Sequence, residues 1–190
     1  GLPFNYWYGR GWSKTLFTQA ELAAAGVSDG PINSIAIYML TVGTRNNTFG
    51  KLKIWLENTN MTVMAENDNG PGAGASMIYE SVGSNYALPT TANTWITFPC
   101  STPFEYTGGG LLVYFCYYGT SYGGSIYGFR CTNFTTAHSY MKSDDNLDDG
   151  CTTTKPSYSH GLRNFRFDMR IDIDMAPSIN AQYPTVGRNF

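Results

Sequence analysis

The stretch "NFRFDMRIDID", residues 164–174, decides the fold class. Phe165, Phe167, Met169, Ile171 and Ile173 fall on one side of an extended chain, and Arg166, Asp168, Arg170, Asp172 and Asp174 on the other. That two-residue period marks a half-buried antiparallel strand, apolar toward a core and charged toward water. Upstream, "INSIAIYMLTV" (32–42) is apolar on both faces and reads as a central strand, while "KLKIWLEN" (51–58) alternates again. "MTVMA" and "SMIYESV" flank the Gly- and Asn-rich loop "ENDNGPGAGA", and "TWITF", "FEY", "LLVYFCYY" and "SIYGFRC" follow at close spacing. Roughly nine strands of this kind predict an all-β chain, a jelly-roll-like β-sandwich.

One short N-terminal helix interrupts the strands. In "TLFTQAELAAAGVSDG" (15–30), Thr18 stands three residues before Glu21, the spacing of a capping box. Phe17 and Leu22 occupy the positions of a hydrophobic staple, and Gly26 is placed for a C-terminal glycine cap. About seven residues between caps are too few for a helix that is stable alone. The expected role is a lid on one open end of the sandwich, with no active-site chemistry attached.

Composition narrows the class of function. Charged residues are 14% and aromatics 15% of the 190 residues, and the net charge is −2. There is no basic footprint for nucleic acid, and "LLVYFCYY" is too short to span a membrane, so no membrane insertion is expected. The chain opens without a signal-peptide pattern, and "GLPF" is expected to be a mature terminus. Four cysteines, Cys100, Cys116, Cys131 and Cys151, include no close pair of the zinc-site kind. Two disulfides are expected, with buried free thiols as the alternative, and bridges would place the protein outside the cytosol. The sequons at Asn46, Asn60 and Asn133 fit an extracellular glycoprotein.

The order of the motifs resembles a β-sandwich domain common in secreted, cell-surface proteins of type IX-secreting bacteria. The residues that carry the likeness are "SKTLFTQAEL", "GPINSIAIY", "LKIWLEN", "W-I-T-F", "PFEYTGGGLLVYFCY" and "GLRNFRFDM". It covers residues 12–174, leaving an N-terminal extension at 1–11 and a C-terminal one at 175–190. The resemblance implies a structural or adhesive module without catalytic residues. It also implies that Cys116 pairs with Cys151, which leaves Cys100 for Cys131.

Candidate chemistry is sparse. In "SDDNLDDG" (143–150), Asp144, Asn146 and Asp148 alternate as calcium ligands do, but the glycine is late for an EF-hand and Pro156 falls where its Glu belongs. A solvated loop is the plainer reading, an irregular Ca²⁺ site the alternative, and no other cofactor is expected. His138 and His160 have no nucleophile motif beside them, so no enzyme is expected. Trp7, Trp12, Tyr114, Tyr117, Tyr118, Tyr122 and Tyr127 form either a stacking platform for sugars or, the preferred reading, core and interface. Both extensions alternate like strands: Leu2, Phe4, Tyr6 and Tyr8 at one end, Ile179, Ala181 and Tyr183 at the other. Such segments can add to a sheet edge, in their own molecule or in a neighbour's. The expectation is a structural subunit of an extracellular filament or surface assembly, self-associating through terminal strands and aromatic contacts. The alternative is a glycan-binding adhesion module using exposed Trp and Tyr.

Overall fold

The structure, a computed structural model, describes residues 2–4, 8–44, 48–66, 70–81, 85–119, 127–145 and 159–174. Along the chain run β1 (Arg10–Phe17), α1 (Gln19–Ala24), β2 (Gly30–Thr41), β3 (Thr48–Thr59), β4 (Ser76–Glu80), β5 (Tyr86–Ala87) and β6 (Thr94–Tyr106). They are followed by β7 (Gly110–Gly119), β8 (Gly128–Phe129), β9 (Cys131–Asn133), β10 (Ser139–Asp144), β11 (Ser159–Arg163), β12 (Phe165–Phe167) and β13 (Met169–Ile173). The fold is all-β, as the alternation predicts, and among the described residues every strand pairing is antiparallel.

One sheet has the order β11-β10-β1-β7-β3-β4, with β5 also on β3; a second has β13-β2-β6, with β8 also on β2. The connections β1 to β2, β2 to β3, β6 to β7 and β7 to β8 each cross between sheets, the habit of double-sheet Greek-key folds. Inward side chains interdigitate: Ile35, Ile37 and Phe98 from one sheet share a core with Leu52, Ile54 and Phe115 from the other. The Phe98 and Phe115 rings meet edge to face at 5.7 Å, a favoured aromatic geometry.

The central strand is β2, with β6 on one side and β13 and β8 sharing the other. Its inner face carries Ile35, Ile37 and Met39 into the core, while Leu40 on the other face is exposed. The 164–174 stretch is not one strand, however. Arg130 inserts where the alternation predicts continuity: its N–H donates to Tyr38 O at 2.9 Å and its O accepts from Asp168 N–H at 2.8 Å. The chain therefore changes partner at Asp168, from β9 to β2. "MTVMA" also forms no strand. Met64 N–H instead donates to Ala137 O at 2.9 Å, and the Met64 side chain helps bury a second cluster with Trp12, Leu16, Tyr114 and Tyr140 on the outer face of β1, β7 and β10. Among the described residues no helix is long and apolar enough to cross a membrane.

Candidate functional site

The helix α1 is specified by its own residues. The Thr18 N–H donates to Glu21 Oε2 at 2.8 Å, and the Glu21 N–H faces Thr18 Oγ1 at 3.4 Å, which completes the capping box. At the other end Val27 N–H reaches Leu22 O and Gly26 N–H reaches Ala23 O, the paired bonds of a Schellman motif, with Gly26 at φ +79°. Phe17 and Leu22 are both buried in the main core.

Glu21 does more than the sequence suggests. It lies 2.7 Å from an Arg166 guanidinium nitrogen and 3.3 Å from His138 Nε2. Burial opposes ionisation of Glu21, but donation from the Thr18 N–H and hydroxyl, with the Arg166 charge, holds its carboxyl below the ordinary value. Arg166 stacks over Phe17 at 4.3 Å and Phe134 at 4.8 Å, and Phe134 stacks on the His138 ring at 3.8 Å.

Beside α1 lies an open groove of about 490 Å³. Leu22, Ala25 and Val27 form one wall, and β13 forms the other. Its rim is cationic and aromatic. Arg130 Nε pairs with Asp168 Oδ2 at 2.6 Å, and Thr132 Oγ1 donates to Asp168 Oδ1 at 2.7 Å. Arg130 lies over Tyr38 at 4.4 Å, and Arg170 lies over Trp95 at 4.1 Å. Inward Met169 and Ile171 line the same groove as outward Asp168 and Arg170. Alternating side chains of one strand can share a cavity only along that strand's open edge.

The opposite end of the sandwich is closed by the N-terminus. Leu2 and Phe4 are both 0% exposed and belong to the main core. The Phe4 ring sits 4.9 Å from Phe49, 5.5 Å from Phe115 and 5.6 Å from both Tyr117 and Phe129. Residues 2–4 form no strand, and burial of the Leu2 and Phe4 side chains anchors them in the core. Gly9 N–H then donates to Asp145 Oδ1 at 2.9 Å, which ties the entry of β1 to the acidic loop. Tyr8 is half-buried, whereas Tyr6, Ile179, Ala181 and Tyr183 lie outside the described residues.

The other sequence-predicted residues are scattered. Trp12, Tyr114, Tyr117 and Tyr127 are buried and form no exposed platform. Tyr118 is half-buried under the Arg10 guanidinium at 4.4 Å, and Trp7 and Tyr122 lie outside the described residues. Asp144 ends β10, while Asn146 and Asp148 lie outside the described residues. Among the described residues no three His, Cys, Asp or Glu side chains gather as a metal site. Asn60 and Asn133 are exposed, and Asn46 lies outside the described residues. His160 is exposed on β11, remote in role from His138.

Cys100 and Cys131 are free thiols, which corrects the expected bridge between them. Cys100 lies on β6, on one side of β2, while Cys131 follows directly from β8 on the other. Two strand spacings are roughly 9–10 Å, more than the ~7 Å between Cα atoms that a disulfide spans. Burial, reinforced by Asp172 beside Cys100 and Asp168 beside Cys131, pushes both thiols up to about 11. Cys116 is buried in β7, and Cys151 lies outside the described residues.

No protein family, curated protein or solved structure matches this chain.

Proposed function

We propose that this chain is a structural subunit of an extracellular filament or surface assembly, joined to copies of itself through its terminal segments. The observation that carries the reading is the seating of Leu2 and Phe4. Both are fully buried in the core, yet among the described residues their segment makes no ladder with either sheet. A short element outside both ladders, seated by the insertion of two side chains into a pocket, is one that two copies can exchange without new chemistry, because the same pocket accepts either donor. If each subunit donates its segment to the next, the contact is head-to-tail and grows a filament wherever it does not close into a ring.

The extracellular placement draws support from the sulfur chemistry and the sequons. Cys116 is not a free thiol. The resemblance to the secreted β-sandwich domain implies Cys151 as its partner. Such a bridge closes a loop of roughly 35 residues and stabilises by about 4 kcal/mol through the unfolded state. Exposed Asn60 and Asn133 are accessible to glycosylation.

The test is electron microscopy of the purified chain, intact and with residues 1–9 deleted. The intact chain is expected to form filaments. The deleted chain should not, and a synthetic peptide of residues 1–9 should restore its thermal stability without restoring filaments. An intact chain that stays monomeric at high concentration overturns the reading.

A further inference from the structure

The edge of β13 that lines the groove has a composition unlike the β6 edge of its sheet and the β11 edge of the neighbouring one. On the far side of the same sheet, β6 carries Pro99 and Pro103, which have no N–H to offer a neighbour. In the other sheet, β11 is interrupted by Gly161 at φ +142°. Proteins blunt exposed edges with such devices. β13 has neither a proline nor a left-handed glycine, although its register on β2 shifts between Asp172 and Ile173, and among the described residues it pairs with β2 alone.

We propose that this edge binds the same edge of a second copy, the two β13 strands pairing antiparallel about a two-fold axis at Ile171. The proposal rests on the reading of the chain as self-associating and names a surface that reading does not include. Its basis is the self-complementary order Arg170-Ile171-Asp172. With Ile171 opposite Ile171 of the second copy, each Arg170 faces an Asp172, and each Met169 faces an Ile173. Opposite charges directly across a ladder attract, and like charges repel. The same register sets Asp168 against Asp174, but Asp168 is already engaged by Arg130 and Thr132.

The surroundings favour the pairing. Among the described residues the Arg170 side chain has no hydrogen-bond or ion-pair partner, and stacking on Trp95 at 4.1 Å leaves its in-plane donors free. Met169, Ile171 and Ile173 are only partly buried, so an added strand covers their exposed sides. On the flanking helix, Ala23, Ala24 and Ala25 are exposed and short, which leaves room beside the edge for a neighbour. A two-fold contact of this kind closes on itself. Alone it makes a dimer, and combined with head-to-tail exchange it joins two filaments side by side.

The experiment is sedimentation of the full chain over a concentration series, comparing wild type with Arg170→Asp, Asp172→Arg and the double reversal. Each single reversal is expected to weaken dimerisation at least tenfold, and the double reversal to restore it. Mixing the two single variants should also give a dimer, because each then faces opposite charges only; this arm stays informative if the double variant folds poorly. Single variants that associate as tightly as wild type, or a mixture that remains monomeric, overturn the edge contact. Filaments that persist in both single variants while losing their lateral pairing support it and leave terminal exchange standing. A wild-type chain that is monomeric throughout overturns both.

Discussion

The two ends of this sandwich are closed in opposite ways. At one end α1 is held by bonds between residues three to five apart: Thr18 with Glu21, Val27 with Leu22, Gly26 with Ala23. At the other, Leu2 and Phe4 are buried in the main core, and the Phe4 ring reaches residues 45 to 125 positions away, Phe49 to Phe129. The first end is written into its own segment, and that segment can serve only its own chain, since short connections on both sides fix it between β1 and β2. The second end exists only because a pocket elsewhere accepts it. A plug of that sort is free to come from another molecule, and this difference is the physical basis of the assembly reading.

The largest expected effect distinguishes the two plugs by their side chains. Phe4→Ala should destabilise by about 3–5 kcal/mol, since a fully buried ring leaves a cavity among four aromatic neighbours, and Leu22→Ala by about 2–4 kcal/mol. Thermal unfolding of the monomer measures both. The comparison sharpens if added peptide 1–9 rescues a chain lacking residues 1–9, while no added helix peptide rescues Leu22→Ala. It breaks if the N-terminal truncation costs nothing.

Smaller effects belong to the helix alone. Thr18→Ala removes the cap acceptor and should cost about 1 kcal/mol without touching assembly. The same motif gives a pH signature. Because the folded Glu21 carboxyl is held below its ordinary value, its contribution is complete above an unfolded carboxyl pKa of about 4.3 and is lost as pH falls through the folded value. Stability measured from pH 6 to pH 3 should fall less steeply in Glu21→Gln than in wild type. Equal slopes would show that the Arg166 and Thr18 contacts carry no weight.

What could be read in advance follows the same division. The helix boundaries, its caps and the alternation of β3 and β13 were legible because each depends on neighbours in sequence. The break at Asp168 was not, because it is made by Arg130 entering from another segment. The same holds for "MTVMA", whose bond to Ala137 and packing on Tyr114 override its strand-like composition. The even count of cysteines suggested two bridges, but β2 stands between Cys100 and the strand before Cys131. Of the groove, Arg166, Arg170 and Asp168 were visible as one charged face. Trp95 and Arg130, which also line it, come together only through the pairing of β6, β2 and β8.

Whose core Phe4 fills is the central question, and photocrosslinking answers it most directly. Benzoylphenylalanine replaces Phe4 in the full chain, the purified material is assembled and irradiated, and the products are separated under reducing, denaturing conditions. If subunits exchange their N-terminal segments, the crosslinks join different chains, and a ladder of covalent multimers appears with peptides around Phe49 and Phe115 as the acceptors. If assembled material yields only monomers crosslinked within themselves, each chain keeps its own plug and terminal exchange is wrong.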